Sequence, residues 1–286
     1  MRWAHPRSGH RPVRIAAPPG YPRSMDADAD FRALVARLPR GPGRVRVTPG
    51  EIAHIVLDSP TRRNALDPAM MVELADAAAA VAGASVVVLR GEGSAFCAGG
   101  DLGAVRDHLA EPGIGELLGS FMAGAVGTLE ASGAVLVAAV TGAALGGGAE
   151  LLAACDVVFA APEARIGWVQ ARLGVSPGFG GGARLVRRVG PHRALRLLAE
   201  ASLLDAAAAR DAGLVDTIVA DPVGAAEAWA AQAVALPREA LLGAVRVVRS
   251  AGTASGPATE LEVFAGLWGG SSHVAALAKA RGGRRE

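Results

Sequence analysis

A chain of 286 residues, 51% of them hydrophobic and 20% charged, can bury the core of one large domain, or of one domain with a small appendage, and is too apolar to stay unfolded. Its net charge of +2 excludes a strongly basic nucleic-acid binder, the more so because Arg2, Arg7, Arg11, Arg14 and Arg23 crowd the first 24 residues without an Asp or Glu and leave the remainder mildly acidic. Two cysteines, Cys97 and Cys155, are too few for a disulfide framework, form no zinc pattern with the histidines, and indicate a reduced, cytoplasmic setting.

Residues 1–24 mix those arginines with Pro6, Pro12, Pro18, Pro19 and Pro22 and contain no apolar run of the length a secretory signal needs. They read as a disordered Arg/Pro-rich tail, with a transit peptide as the alternative and Met25 as a candidate true start. From Met25 to Leu38, Phe31, Leu34, Val35 and Leu38 follow helical spacing. Arg44 to Val47 alternates charged and apolar residues, Pro49-Gly50 supplies a turn, and Ile52 to Leu57 reads as the returning strand of a hairpin. Asp67-Pro68 then pairs a capping side chain with a proline at the first helical position, and Met70, Met71, Leu74, Ala75, Ala78 and Val81 supply an apolar face.

Val86 to Leu89 and Val135 to Val140 read as buried strands of a sheet covered on both faces, each running into a glycine-containing loop, and Val157 to Ala160 reads as another strand. The most apolar run, Ala134 to Val140, is far too short to cross a bilayer, so no membrane association is expected. Strand, loop and helix alternate, which indicates an α/β fold with crossover connections. After Pro177 the chain turns Ala-, Leu- and Arg-rich, with helices expected over Gly180 to Val189, Pro191 to Glu200, Leu204 to Ala212, Val223 to Val234 and Arg238 to Arg249, then Glu260 to Leu267 and Val274 to Lys279. The division expected is a core domain at 25–222 and a C-terminal helical region at 223–286.

The two glycine loops carry the chemistry. In the first, Gly99-Gly100 can adopt backbone angles that aim an N–H into a cavity. The second, Gly142 to Glu150, leads into a helix whose first turn offers free N–H groups and the positive end of the dipole, which suits an oxyanion. Taken singly each loop is equally a tight turn, and neither matches a phosphate-binding Walker or G-x-G-x-x-G pattern.

Asn64-Ala65-Leu66, Ala95-Phe96-Cys97-Ala98-Gly99-Gly100-Asp101-Leu102 and Ala144-Leu145-Gly146-Gly147-Gly148-Ala149-Glu150, continued by Gly174 to Gly178 and Gly180-Gly181, occur in the order and spacing of the crotonase (enoyl-CoA hydratase/isomerase) superfamily, which the chain resembles from about Arg44 onward. The resemblance implies a ClpP-like spiral of ββα units, a C-terminal helical trimerisation region, a homotrimer or a hexamer built as a dimer of trimers, and acyl-CoA thioester substrates. It implies no metal and no separate cofactor, since the substrate carries the coenzyme A. By position Gly100 and Gly147 match the two oxyanion N–H donors, while Asn64, Ala65, Leu66, Ala98, Asp101 and Leu102 match the loops that hold the CoA adenine and pantetheine.

Glu150 matches one of the two hydratase glutamates and, apart from the motif, would be read as a first-turn acid complementing the helix dipole. The second glutamate's position is Gln170, which cannot exchange a proton at neutral pH, so water addition by paired carboxylates is compromised. Arg90-Gly91, Gly100-Asp101-Leu102 with Ala104-Val105, Gly148-Ala149-Glu150, Trp168-Val169-Gln170, Leu185-Val186 and Leu267-Trp268-Gly269-Gly270 together resemble the ethylmalonyl/methylmalonyl-CoA decarboxylase branch. Loss of CO2 from a malonyl-type thioester yields the same enolate without a base. In that reading Trp168 and Val169 form an apolar wall beside the departing carboxylate and Gln170 orients it, while Glu150 has to be protonated or lie on the other side of the substrate. The alternatives are an enoyl-CoA hydratase or isomerase using Glu150 alone, and a non-catalytic acyl-CoA- or RNA-binding homologue; Lys279 is the single lysine, which argues against RNA. His54, His108, His192 and His273 lack nucleophile partners, Cys97 is read first as a packing residue, and Trp268 is placed near the CoA or the subunit contact, with core as the alternative.

Overall fold

The computed structural model describes residues 25–108 and 113–282; the arginine- and proline-rich segment 1–24 lies outside the described residues. Helix α1 (Met25–Val35) docks through Phe31, which is fully buried and stacks on Phe121 with ring centroids 4.4 Å apart. Strands β1 (Arg44–Thr48) and β2 (Ile52–Asp58) form the expected antiparallel hairpin. Helix α2 (Pro68–Ala80) starts where the capping signal places it, with Asp67 Oδ1 accepting from the Met70 N–H at 2.9 Å.

Three similar units follow. Strands β3 (Val86–Gly91) and β4 (Ala95–Cys97) precede α3 (Leu102–His108) and α4 (Ile114–Ala131); β5 (Val135–Val140) and β6 (Ala143–Leu145) precede α5 (Gly147–Ala153). Strands β7 (Val157–Ala160) and β8 (Arg165–Gly167) lead through a short 3-10 turn at Gln170–Leu173 to α6 (Gly181–Val189) and α7 (Pro191–Glu200). The first strand of each pair joins one sheet and the second joins another, so the chain spirals. With β9 (Leu204–Asp205), α8 (Ala206–Asp211) and β10 (Thr217–Ile218), the orders are β1-β2-β3-β5-β7-β10 and β4-β6-β8-β9. This is the α/β spiral of ββα units that the motifs imply.

Neighbouring valines of one strand serve different cores, because successive side chains leave opposite faces of a sheet. Val86, Val88, Val135, Val137 and Ala139 pack against Ala226, Ala230 and Ala233 of α9 (Pro222–Val234), while Val87, Leu89, Leu136, Ala138 and Val140 face Leu74, Leu129 and Leu151. Helix α10 (Arg238–Ser250) is strapped on at both ends: Arg238 donates to the Gly83 carbonyl at 2.8 Å, and Arg249 to the Ala134 carbonyl at 2.9 Å and to Asp156 at 2.6 Å. Helices α11 (Gly256–Leu267) and α12 (Ser271–Gly282) complete the expected C-terminal helices.

Elements that differ from the sequence reading include the short strands β4, β6, β8, β9 and β10, which it did not single out, and two helices. Helix α4 was not expected, because Gly115, Gly119, Gly124 and Gly127 depress helix propensity across it; burial of Phe121, Met122, Val126 and Leu129 supplies the missing stabilisation. The helix expected from Leu204 begins at Ala206, because Asp205 caps it from outside by accepting from the Ala208 N–H at 2.8 Å, and Leu204 pairs with Ile166 of β8.

Candidate active site

The first loop is stitched to the segment after the hairpin. Leu66 N–H donates to the Gly99 carbonyl at 2.7 Å, Asp101 N–H to the Leu66 carbonyl at 2.9 Å, and Ala98 N–H to the Arg63 carbonyl at 3.0 Å. This brings Asn64, Ala65, Leu66, Ala98, Gly100 and Asp101 together. The side chains of Asn64, Leu66 and Asp101, however, are committed within the protein. Asn64, fully buried with φ +54°, accepts from the Ser59 N–H at 2.8 Å and donates to the Glu92 and Ala95 carbonyls at 3.0 and 2.7 Å. Leu66 is core. Asp101 caps α3 through the Gly103 and Ala104 N–H groups and pairs with Arg62 at 2.5 Å. Ala65 and Ala98 are half-buried and Leu102 is exposed.

The second loop turns at Gly146 (φ +54°, ψ −118°), whose N–H donates to the Gly167 carbonyl at 2.9 Å, and α5 starts at Gly147 with no earlier carbonyl to receive its N–H. The two loops touch: a Cβ on Gly148 would lie 2.1 Å from the Cys97 carbonyl oxygen. Among the described residues neither the Gly100 nor the Gly147 N–H has a protein acceptor. The need for glycine is at Gly99, with φ +98°, not at Gly100, where an added Cβ would meet nothing nearer than Met71 Cε at 3.9 Å. The burial of Cys97 between the loops pushes its thiol up to about 12, leaving it an inert packing group.

Glu150 projects from α5 into a cage of N–H donors. Oε1 accepts from Gln170 Nε2 at 2.9 Å and Gly178 N–H at 3.2 Å; Oε2 accepts from Phe179 N–H at 2.7 Å and Gly181 N–H at 2.9 Å. Burial pushes the carboxyl above the usual carboxylate range, against the opposing pull of the Gly181, Phe179, Gly178 and Gln170 donors. Gln170 is therefore a neighbour of Glu150, with its Oε1 buried and lacking a partner among the described residues. Trp168 is 1% exposed and belongs to the core, so it offers almost no surface to a substrate. Val169 is half-buried beside the Gly146 turn.

Sequence reasoning assigned no role to Phe179 or Arg184, took Gly181 only as part of the family motif, and did not separate Gly99 from Gly100 as the position that needs glycine. A Cβ on Gly147 would lie 2.4 Å from Phe179 Cε2, and one on Gly181 would lie 2.3 Å from Glu150 Cγ. The signal available was the stretch Gly174 to Gly178 with Gly180-Gly181, which continues the family motif but points to neither Phe179 nor Arg184. Among the described residues no group of three or more His, Cys, Asp or Glu could hold a metal ion, and no helix is long and apolar enough to cross a membrane.

The sequence profile of the family described as enoyl-CoA hydratase/isomerase matches residues 48–253. Ethylmalonyl-CoA decarboxylase of Xenopus laevis is 32% identical, over 88% of this chain and 87% of that one, and the Danio rerio protein of the same name is 35% identical over 78% of each. The crystal structure of an enoyl-CoA hydratase from Bacillus anthracis superposes with a TM-score of 0.77 at 26% identity, covering 83% of this chain and 96% of that one.

Proposed function

We propose, for a chain that belongs to the enoyl-CoA hydratase/isomerase family, that it is a lyase removing CO2 from a methylmalonyl- or ethylmalonyl-type CoA thioester. The observation that carries this reading is the bond from Gln170 Nε2 to Glu150 Oε1. An amide stands where water addition calls for a second carboxylate, and it is turned toward the carboxylate that remains. The names of the Xenopus laevis and Danio rerio relatives support the same reaction.

The substrate's C–C bond to its carboxylate breaks, the electron pair becomes the C=C bond of an enolate, and CO2 departs. The negative charge gathers on the thioester oxygen, held by the Gly100 and Gly147 N–H groups; each such donor is typically worth about 3 kcal/mol in the transition state. No base is required. One proton must then reach the α-carbon. An ionised Glu150 has both oxygens occupied by donors and no proton to give, so its protonated form, which burial favours, or water is the donor. The reaction calls for no cofactor beyond the coenzyme A of the substrate.

Hydration or isomerisation by Glu150 alone is the second reading, favoured by the likeness to the Bacillus anthracis hydratase. Incubation with ethylmalonyl-CoA, methylmalonyl-CoA and crotonyl-CoA, followed by mass analysis of the products, separates the two. Decarboxylation removes CO2 from the first two, whereas rapid hydration of crotonyl-CoA with intact malonyl-type thioesters overturns the proposal. The assembly proposed is a homotrimer, or a hexamer of two trimers, supported by the exposed Leu261, Phe264 and Trp268 of the C-terminal helices; the compartment proposed is the cytoplasm, supported by two free buried cysteines.

A further inference from the structure

We propose that Arg184 and Glu130 are positioning residues of this site, clamping Phe179 so that one residue holds both the oxyanion donor Gly147 and the carboxylate Glu150 in place. The inference rests on the reading of Gly147 and Glu150 given above. Three of the four N–H groups on Glu150 come from residues 178–181, a stretch containing Gly178, Gly180 and Gly181 in which Gly180 takes φ +75°. Such a segment has little stiffness of its own and follows six exposed residues, 171–176.

Its bracing comes from α6, the helix it runs into, and from α4. The guanidinium of Arg184, with 8% of its side chain exposed, donates through Nη1 to the Phe179 carbonyl at 2.7 Å and through Nη2 to Glu130 Oε2 at 2.6 Å. Glu130, at the end of α4, also receives Arg187 at 2.8 Å, so the carboxylate that neutralises the buried guanidinium is itself anchored. Further along α4, Gly119 lies close to the loop: a Cβ there would stand 3.2 Å from the Gly178 carbonyl oxygen. At the other end of the clamp, the Phe179 ring packs on the bare α-carbon of Gly147 and its N–H donates to Glu150 Oε2. A shift of Phe179 therefore disturbs the oxyanion donor and the carboxylate together. An arginine suits the task because its planar fork reaches two acceptors at once, which a lysine does with less geometric control.

The test compares wild type with Arg184→Met, Arg184→Lys and Glu130→Gln, each checked for folding by circular dichroism. Arg184→Met is expected to lower kcat for ethylmalonyl-CoA by about tenfold or more while KM changes less than about threefold. Its Glu150-dependent pH limb should move upward, because loosened N–H donors no longer favour the ionised carboxyl. Amide exchange at Phe179 and Gly181 should accelerate while amides of β3 stay protected, and Arg184→Lys should recover part of each effect. An Arg184→Met protein with kcat within about twofold of wild type and an unmoved limb overturns the clamp, as does exchange that accelerates equally everywhere, the mark of a purely stabilising ion pair. If Arg184→Met does not fold, Glu130→Gln is expected to show the same changes to a smaller degree, and their absence overturns the proposal. If wild type turns over no malonyl-type thioester, the decarboxylase reading falls, and amide exchange with infrared titration of the Glu150 carboxyl still decides the clamp.

Discussion

Gly99 reaches Gly147 across the two loops: a Cβ built on Gly99 would lie 3.3 Å from the Gly147 nitrogen and 2.8 Å from the Leu145 carbonyl oxygen. The contact keeps two backbone donors, about fifty residues apart in sequence, in one place. Gly99→Ala is expected to cost about 1–3 kcal/mol of stability, from its φ of +98° and the steric conflict, and to lower activity. Gly100→Ala, with only Met71 Cε at 3.9 Å to meet, should fall within about 0.5 kcal/mol of wild type and remain active. Urea unfolding of both variants checks this; equal losses would show that the loop is not packed as described.

Glu150→Gln would set an NH2 group against backbone N–H donors and should destabilise the fold by about 1–3 kcal/mol. The pH dependence has a definite sign. Because burial raises the folded-state value of Glu150 above the unfolded one, the folded protein binds more protons than the unfolded chain between the two values. The stability of wild type relative to Glu150→Gln should therefore fall as pH rises through that window and level off above the folded-state value. A difference that climbs with pH would contradict the raised carboxyl.

Asn64→Ala removes three hydrogen bonds from a fully buried residue and places alanine at φ +54°, so a loss of about 3 kcal/mol or more is expected. Denaturation and steady-state kinetics together decide its role. Unchanged stability with a raised KM for the CoA thioester would mark Asn64 as a substrate ligand instead of a strut.

Cys97 and Cys155 are buried, and burial pushes both thiols up to about 12. Alkylation at pH 8 should label neither in the native protein and both after denaturation, read by intact mass. Rapid native labelling of Cys97 would mean that the contact between the glycine loops opens in solution.

Much of the fold was legible because it rests on local signals. The hairpin at Arg44 to Leu57, the cap at Asp67-Pro68 and the valine-rich runs ending near Leu89 and Val140 are recognisable from alternation, capping chemistry and uninterrupted apolarity. Helix α4 was not legible, since its glycines oppose what its packing achieves.

What the sequence determined by itself was the alternation of strand, loop and helix and the residues from which a site can be built: two glycine loops, Glu150 at the start of a helix, and Gln170 where a second carboxylate is absent. Tertiary structure alone decided what each side chain touches. Asn64 became a strut, Trp168 a core residue and Gln170 a donor to Glu150, while Gly178, Phe179 and Gly181 supplied the rest of the cage and Arg184 braced it. The physical reason is range. Turn and strand preferences act between neighbours in the chain, whereas hydrogen bonding and burial of these groups depend on partners up to 54 residues away, as between Glu130 and Arg184, which only the folded chain brings within reach.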